Sequence, residues 1–178
     1  MKLFIVGYMA SGKTTFGKAL AEKLGTRFID LDQYIEENTS KTISQIFAEN
    51  GEEGFREIEK EFLHKAVDSE QDVVLACGGG TPCFFDNMSF LNGQGVTVFL
   101  ETSIPVLISR LIEENHKRPI MAGKSDEEIR QKVLSQLCDR LPHYLEAKMK
   151  WHGDDLNTSE EINENVESFV SSYPSIFR

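Results

Sequence analysis

Residues 7–15, GYMASGKTT, constrain this chain more than any other stretch. They follow the apolar run Leu3, Phe4, Ile5 and Val6 and lead into Phe16, Leu20 and Leu24, whose i, i+4, i+8 spacing marks one face of a helix. Strand, glycine-bearing loop and helix in that order give the pattern G-x-x-x-x-G-K-[ST] its physical meaning. Gly7 and Gly12 let the backbone curl so that its N–H groups point inward at phosphate oxygens, and the positive end of the helix adds to the pull on an anion. Lys13 is expected to reach the terminal phosphates. The Thr14 hydroxyl is expected to complete the shell of a magnesium ion that keeps most of its waters. The predicted ligand is a nucleoside triphosphate, held by Gly7, Ala10, Ser11, Gly12, Lys13, Thr14 and Thr15.

A chain of 178 residues suits one domain with a substantial core. Its net charge of -10 argues against a general nucleic-acid binder, which needs a basic face to displace counterions. Three cysteines, Cys77, Cys83 and Cys138, show no C-x-x-C spacing, and the four histidines complete no zinc pattern. A reduced, cytoplasmic chain is the simplest reading, with the cysteines as small buried apolar groups and His64, His116, His143 and His152 as surface or structural residues. The first apolar run passes straight into GKTT and reads as a strand rather than a signal peptide. No apolar stretch approaches the roughly 20 residues that span a bilayer, so no membrane partner is expected.

Farther along, Gly25 is a plausible C-cap, and residues 26–29 read as a short strand ending at Asp30-Leu31-Asp32. Thr42 and Gln45 form a capping box for a short helix that Gly51 closes. Phe55, Ile58, Phe62 and Ala66 then form one helical stripe, with Glu52, Arg56 and Glu59 on the neighbouring face. Residues 72–77 read as a buried strand stopping at Gly78, Gly79 and Gly80. Residues 96–100 are another strand, followed by a helix from about Ser103 with Pro105 in its first turn. Periodicity lapses over residues 113–124, a polar stretch of the kind that often forms a lid. Ser125 with Glu128 and Thr158 with Glu161 cap two further helices. Strands alternating with helices imply a parallel sheet covered on both faces. The strand before the last helix, within KMKWHGDD, is the least periodic of the set.

In such a sheet ligands sit at the carboxyl ends of the strands. The loop, the pair Asp30 and Asp32, and the three glycines all arrive there. Two residues apart at a strand end, the aspartates diverge and can do two tasks: one holds a metal-bound water, the other accepts a proton from a substrate hydroxyl. Read alone, they fit an N-cap and a solvated turn residue better than a catalytic pair. The glycines fit either a tight turn or a backbone closely approached by a ligand. Arginine holds carboxylates and phosphates through a planar fork. Arg56, Arg118 and Arg140 are the candidates. Their plain alternatives are an exposed helix pair, a solvated loop charge and a carbonyl-capping arginine.

Taken in order, GYMASGKTT, FIDLD, IFAENGEEGFREIE, GGG, KRP and RLPHY resemble the shikimate kinase family of small P-loop kinases. The resemblance implies an α/β, three-layer P-loop kinase fold with a central parallel five-stranded sheet. It implies a single domain over residues 1–178, with a substrate-binding insert near 31–60 and a mobile lid near 113–124. The implied activity is ATP- and Mg2+-dependent phosphorylation of the 3-hydroxyl of shikimate, a step towards the aromatic amino acids, by a monomer. By matched position, Lys13 and Thr14 hold phosphates and metal, and Asp30 reaches the metal through water. Asp32 binds the substrate hydroxyl as base, Arg56 and Arg140 hold the carboxylate, and Gly78, Gly79 and Gly80 meet substrate through backbone. Arg118 is the lid arginine on the transferring phosphate, and Arg110 falls near the adenine-stacking position. Asp32, Lys13 and Arg118 are the implied catalytic set. Residues 149–157 depart from the family's usual final strand and adenine loop. Gluconate and nucleotide kinases share the loop but not the placing of Arg56 and the glycine turn, and a non-catalytic nucleotide-binding module is the remaining alternative.

Overall fold

A computed structural model describes residues 1–117 and 125–177. The apolar run becomes β1 (Lys2–Val6), and α1 (Lys13–Leu24) follows the loop. Gly25 closes α1 in the left-handed conformation, φ 64°, as a residue without a Cβ does readily. Next come β2 (Arg27–Asp30), α2 (Leu31–Thr39), α3 (Ile43–Asp68) and β3 (Val73–Ala76). A 3-10 turn (Thr81–Cys83), α4 (Asn87–Gln94), β4 (Val96–Glu101), α5 (Ile104–Lys117), α6 (Asp126–Tyr144), β5 (Met149–His152) and α7 (Ser159–Ser172) complete the order.

The five strands form one sheet, β2-β3-β1-β4-β5, and every pairing is parallel. Alternation along β1 sends Leu3 and Ile5 to one face and Phe4 and Val6 to the other. Leu3 and Ile5 pack with Phe16, Leu20, Val166 and Phe169 of α1 and α7. Phe4 and Val6 pack with Ile35, Leu63, Leu107, Val133 and Tyr144 of the other helices. The three layers follow directly. In register, Ile5 stands beside Ala76 and Val98, so β1, β3 and β4 end at the same edge.

All three predicted capping boxes form, each with both reciprocal bonds. The structure departs from the sequence reading at three places. Gly51 does not end a helix but kinks one: α3 runs through it with φ 68° and ψ -174° at that residue. α5 continues as helix through Lys117, so residues 113–117 of the expected lid are helical and 118–124 fall outside the described residues. α2 and α4 lie in stretches to which the sequence pattern assigned no element. The weakly periodic final strand is present: Met149 and Trp151 turn one way onto the α7 face, Lys150 and His152 the other, and Lys150 pairs with Glu101 at 2.7 Å.

Candidate active site

The loop is held from behind. Gly7 has φ 150°, and a Cβ there would stand 2.8 Å from the Leu100 carbonyl oxygen. Gly12 has φ 94°, and a Cβ would meet Leu156 Cδ1 at 2.6 Å. Only glycine satisfies both positions. No side chain caps α1, which leaves its first-turn N–H groups facing the pocket, as an anion site requires. Ser11 serves the loop's shape: its N–H closes a turn on the Tyr8 carbonyl at 3.2 Å, and its own carbonyl accepts the Thr102 hydroxyl at 3.0 Å. The Lys13 ammonium donates to the Tyr8 carbonyl at 2.7 Å. Burial lowers its pKa to about 8, against the opposing pull of Asp32, Cys77 and Asp30.

Gly12, Lys13, Thr14, Thr15, Arg110 and Leu156 line a cavity of about 240 Å³. Arg110 braces it, donating to the carbonyls of Gly153 at 2.9 Å, Asp154 at 2.8 Å and Ala10 at 3.4 Å, and to Asn157 Oδ1 at 3.3 Å. Thr14 donates its hydroxyl to Asp30 Oδ2 at 2.7 Å. Asp30 also caps α2 by accepting the Gln33 N–H at 3.3 Å, so the plain reading of this residue as an N-cap is met. A hydroxyl backed by one carboxylate is an all-oxygen donor set, which suits a magnesium ion that keeps waters and takes phosphate oxygens. Among the described residues there is no cluster of three or more His, Cys, Asp or Glu that could hold a metal ion.

Past the turn into α2 at Leu31, Asp32 lines a second cavity. This space, about 410 Å³, is lined by Asp32, Arg56, Glu59, Gly79, Gln136 and Arg140 among others. Burial raises the Asp32 carboxyl to about 6, with the charges of Asp30 and Glu59 adding and Lys13 opposing. Arg56 is 7% exposed. Its Nη1 donates to Glu59 Oε2 at 2.7 Å, Nη2 lies 3.6 Å from Glu52 Oε1, and its guanidinium lies 4.0 Å from the Phe84 ring centroid. Glu59 is anchored in turn by the Thr81 hydroxyl at 2.6 Å. Arg56 is therefore a buried, oriented fork rather than an exposed helix pair.

None of the three glycines after β3 has a positive φ. Their reason is close approach. A Cβ on Gly78 would stand 2.9 Å from Asp32 Oδ1, on Gly79 3.2 Å from the Met9 nitrogen, and on Gly80 2.5 Å from Arg56 Nη2. The Gly79 carbonyl accepts the Tyr144 hydroxyl. Arg140 lies over the Tyr8 ring at 5.6 Å, inside the second cavity, while the end of α6 is closed by the Leu145 N–H on the Leu141 and His143 carbonyls. Arg118 lies outside the described residues.

The cysteine reading needs correction at one position: Cys77 is buried, Cys83 is half-buried, and Cys138 is exposed. Cys138 follows Leu137 on α6 and turns past the face that packs on the sheet. Sequence reasoning also passed over Thr81, Phe84, Gln136 and Leu156. Gln136 was within reach of it, one turn before Arg140 on the same helix face. A third cavity, about 390 Å³, lies behind the loop among Phe99, Leu100, Leu107, Leu137 and Leu141 and contains only Ser11 of the predicted residues.

The family model for shikimate kinase matches residues 9–171. A shikimate kinase of Phocaeicola vulgatus is 47% identical over 167 residues, covering 94% of this chain and 95% of the relative. One from Parabacteroides distasonis is 47% identical over 163 residues, covering 92% and 94%. The crystal structure of shikimate kinase from Bacteroides thetaiotaomicron superposes with a TM-score of 0.93 at 42% identity, covering 98% of both chains. That of the Acinetobacter baumannii enzyme in complex with shikimate gives 0.83 at 32%, covering 98% of this chain and 93% of the other.

Proposed function

The chain belongs to the shikimate kinase family, and from that premise we propose how its residues divide the work. The reaction moves the γ-phosphate of ATP to the 3-hydroxyl of shikimate, giving shikimate 3-phosphate and ADP on the way to the aromatic amino acids. The 240 Å³ cavity takes ATP and the 410 Å³ cavity takes the acid, with Lys13 and Asp32 at their junction. Arg56 and Arg140 grip the carboxylate, and Gly78, Gly79 and Gly80 let the ring lie against backbone. Residues 31–60 act as the acid-binding insert and 113–124 as the lid. The observation that carries this division is the convergence of Asp32, Arg56 and Arg140 on one cavity beside the loop.

Thr14 and Asp30 are the residues that would hold magnesium, which when bound would neutralise developing phosphate charge. Asp32 accepts the proton of the attacking hydroxyl. Its buried position and raised pKa suit that task, because a base near neutrality is both free and strong enough to act. Phosphoryl transfer passes through a loose transition state, so Lys13 and Arg118 act by placing positive charge on the migrating group. The working unit in this reading is a monomer. Three free cysteines accord with a cytoplasmic setting.

The test is ADP release with ATP and magnesium, comparing shikimate, gluconate, nucleoside monophosphates and no acceptor. Release with shikimate alone is expected. Arg118→Ala should lower kcat by a factor of about 100 or more with the acid's KM nearly unchanged; an unaltered kcat would remove Arg118 from the reaction.

A further inference from the structure

One wall of the acid cavity is not accounted for by the family motifs. Helix α6 presents Lys132, Gln136 and Arg140 to it, spaced i, i+4, i+8 and so on one face, about 6 Å apart along the axis. Of these, only Arg140 falls in the motif RLPHY. Gln136 Oε1 accepts the hydroxyl of Tyr8 at 2.8 Å. Tyr8 is 2% exposed and belongs to the nucleotide loop, and its ring lies beneath the Arg140 guanidinium. A primary amide has one carbonyl oxygen and two N–H donors. With the oxygen engaged by the phenol, the donors are what Gln136 offers to the cavity.

We propose that Gln136 is a further acceptor-binding residue, its amide N–H groups donating to a ring hydroxyl of the polyhydroxylated acid, and that the Tyr8 hydroxyl is the positioning group that aims it. The proposal rests on the assignment of this cavity to the acid. Arg56 and Arg140 already supply the charged forks that match a carboxylate. A neutral donor one helical turn away is matched to a neutral oxygen. The loop that grips the nucleotide and the residue that reads the acid's hydroxyls are then joined by one hydrogen bond.

Calorimetry tests this with two acids, shikimate and cyclohex-1-ene-1-carboxylate, which keeps the ring and carboxylate but lacks the hydroxyls. Gln136→Ala and the closely shaped Gln136→Met should each weaken shikimate about 10-fold, the worth of one buried hydrogen bond, and leave the hydroxyl-free acid within about twofold. Tyr8→Phe should weaken shikimate about 3-fold, and Tyr8→Phe/Gln136→Ala no more than Gln136→Ala alone, since the two act as one unit. Affinity for ADP with magnesium, measured on the same samples, should stay within about twofold and reports that the fold is intact. Wild-type shikimate affinity in both Gln136 variants, or equal loss of both acids, would overturn the role of Gln136. Full multiplicative loss in the double variant would overturn that of Tyr8. Arg56→Lys separates the premise from the inference: it should weaken both acids, and if it weakens neither, the cavity is not the acid's site.

Discussion

Asp32 and Lys13, the base and the phosphate-gripping ammonium of the proposed mechanism, have their pKa values drawn towards each other, to about 6 and about 8. Burial does most of this in both cases, since each loses water as a charged group. The direction of the consequence follows. A base must be ionised, so activity is lost as pH falls through about 6. A phosphate-gripping ammonium must be protonated, so activity is lost as pH rises through about 8. The kcat/KM of the free enzyme should therefore trace a bell between these limits, and Asp32→Asn should abolish the acid limb along with most of the rate. Because bound polyphosphate favours the charged lysine, the alkaline limb of kcat should lie higher than that of kcat/KM. A profile flat from pH 5 to pH 7 would remove Asp32 as the base.

Among the elements, α3 has a break that matters for aim. Gly51 occupies φ 68°, ψ -174°, a region essentially reserved for glycine, with open space where a Cβ would go. Gly51→Ala therefore meets no clash and should cost about 1–3 kcal/mol in backbone strain alone, read from urea unfolding. If straightening α3 re-aims Arg56 five residues later, the acid's KM should rise while ADP affinity holds; an unchanged KM would confine the kink to stability. The capping boxes were legible in sequence because each is a local exchange between residues three apart. Helix α2 was not, since Leu31 and Ile35 are its only buried residues and one apolar pair sets no period. Helix α4, NMSFLNGQ, has even less amphipathic pattern. Strand β5 was faint because its alternation lasts four residues and rests on Met149 and Trp151 alone. Asp32, Arg56 and Arg140 were readable through ordered motifs, whereas Thr81, Phe84 and Leu156 matter through contacts with Glu59, Arg56 and Gly12, far away in sequence.

At the scale of the molecule, the two ligand cavities differ in what carries them. The nucleotide loop grows from β1 and is backed by β4, while the acid cavity is walled by α2, α3, α6 and the glycine turn. Among the described residues no helix is long and apolar enough to cross a membrane. The strand order puts β1 in the middle, with two strands on each side, and β5 at an edge. In amide hydrogen exchange, Phe4 and Ile5 should thus exchange only through global unfolding, and Trp151 through local fraying at lower free energy; equal protection at both would contradict a single cooperative centre. The proposed phosphate grip grows directly from this central strand. On gentle warming, then, the edge around β5 should loosen first and the proposed hold on polyphosphate last: a grip that outlives the ordered rim of its own sheet.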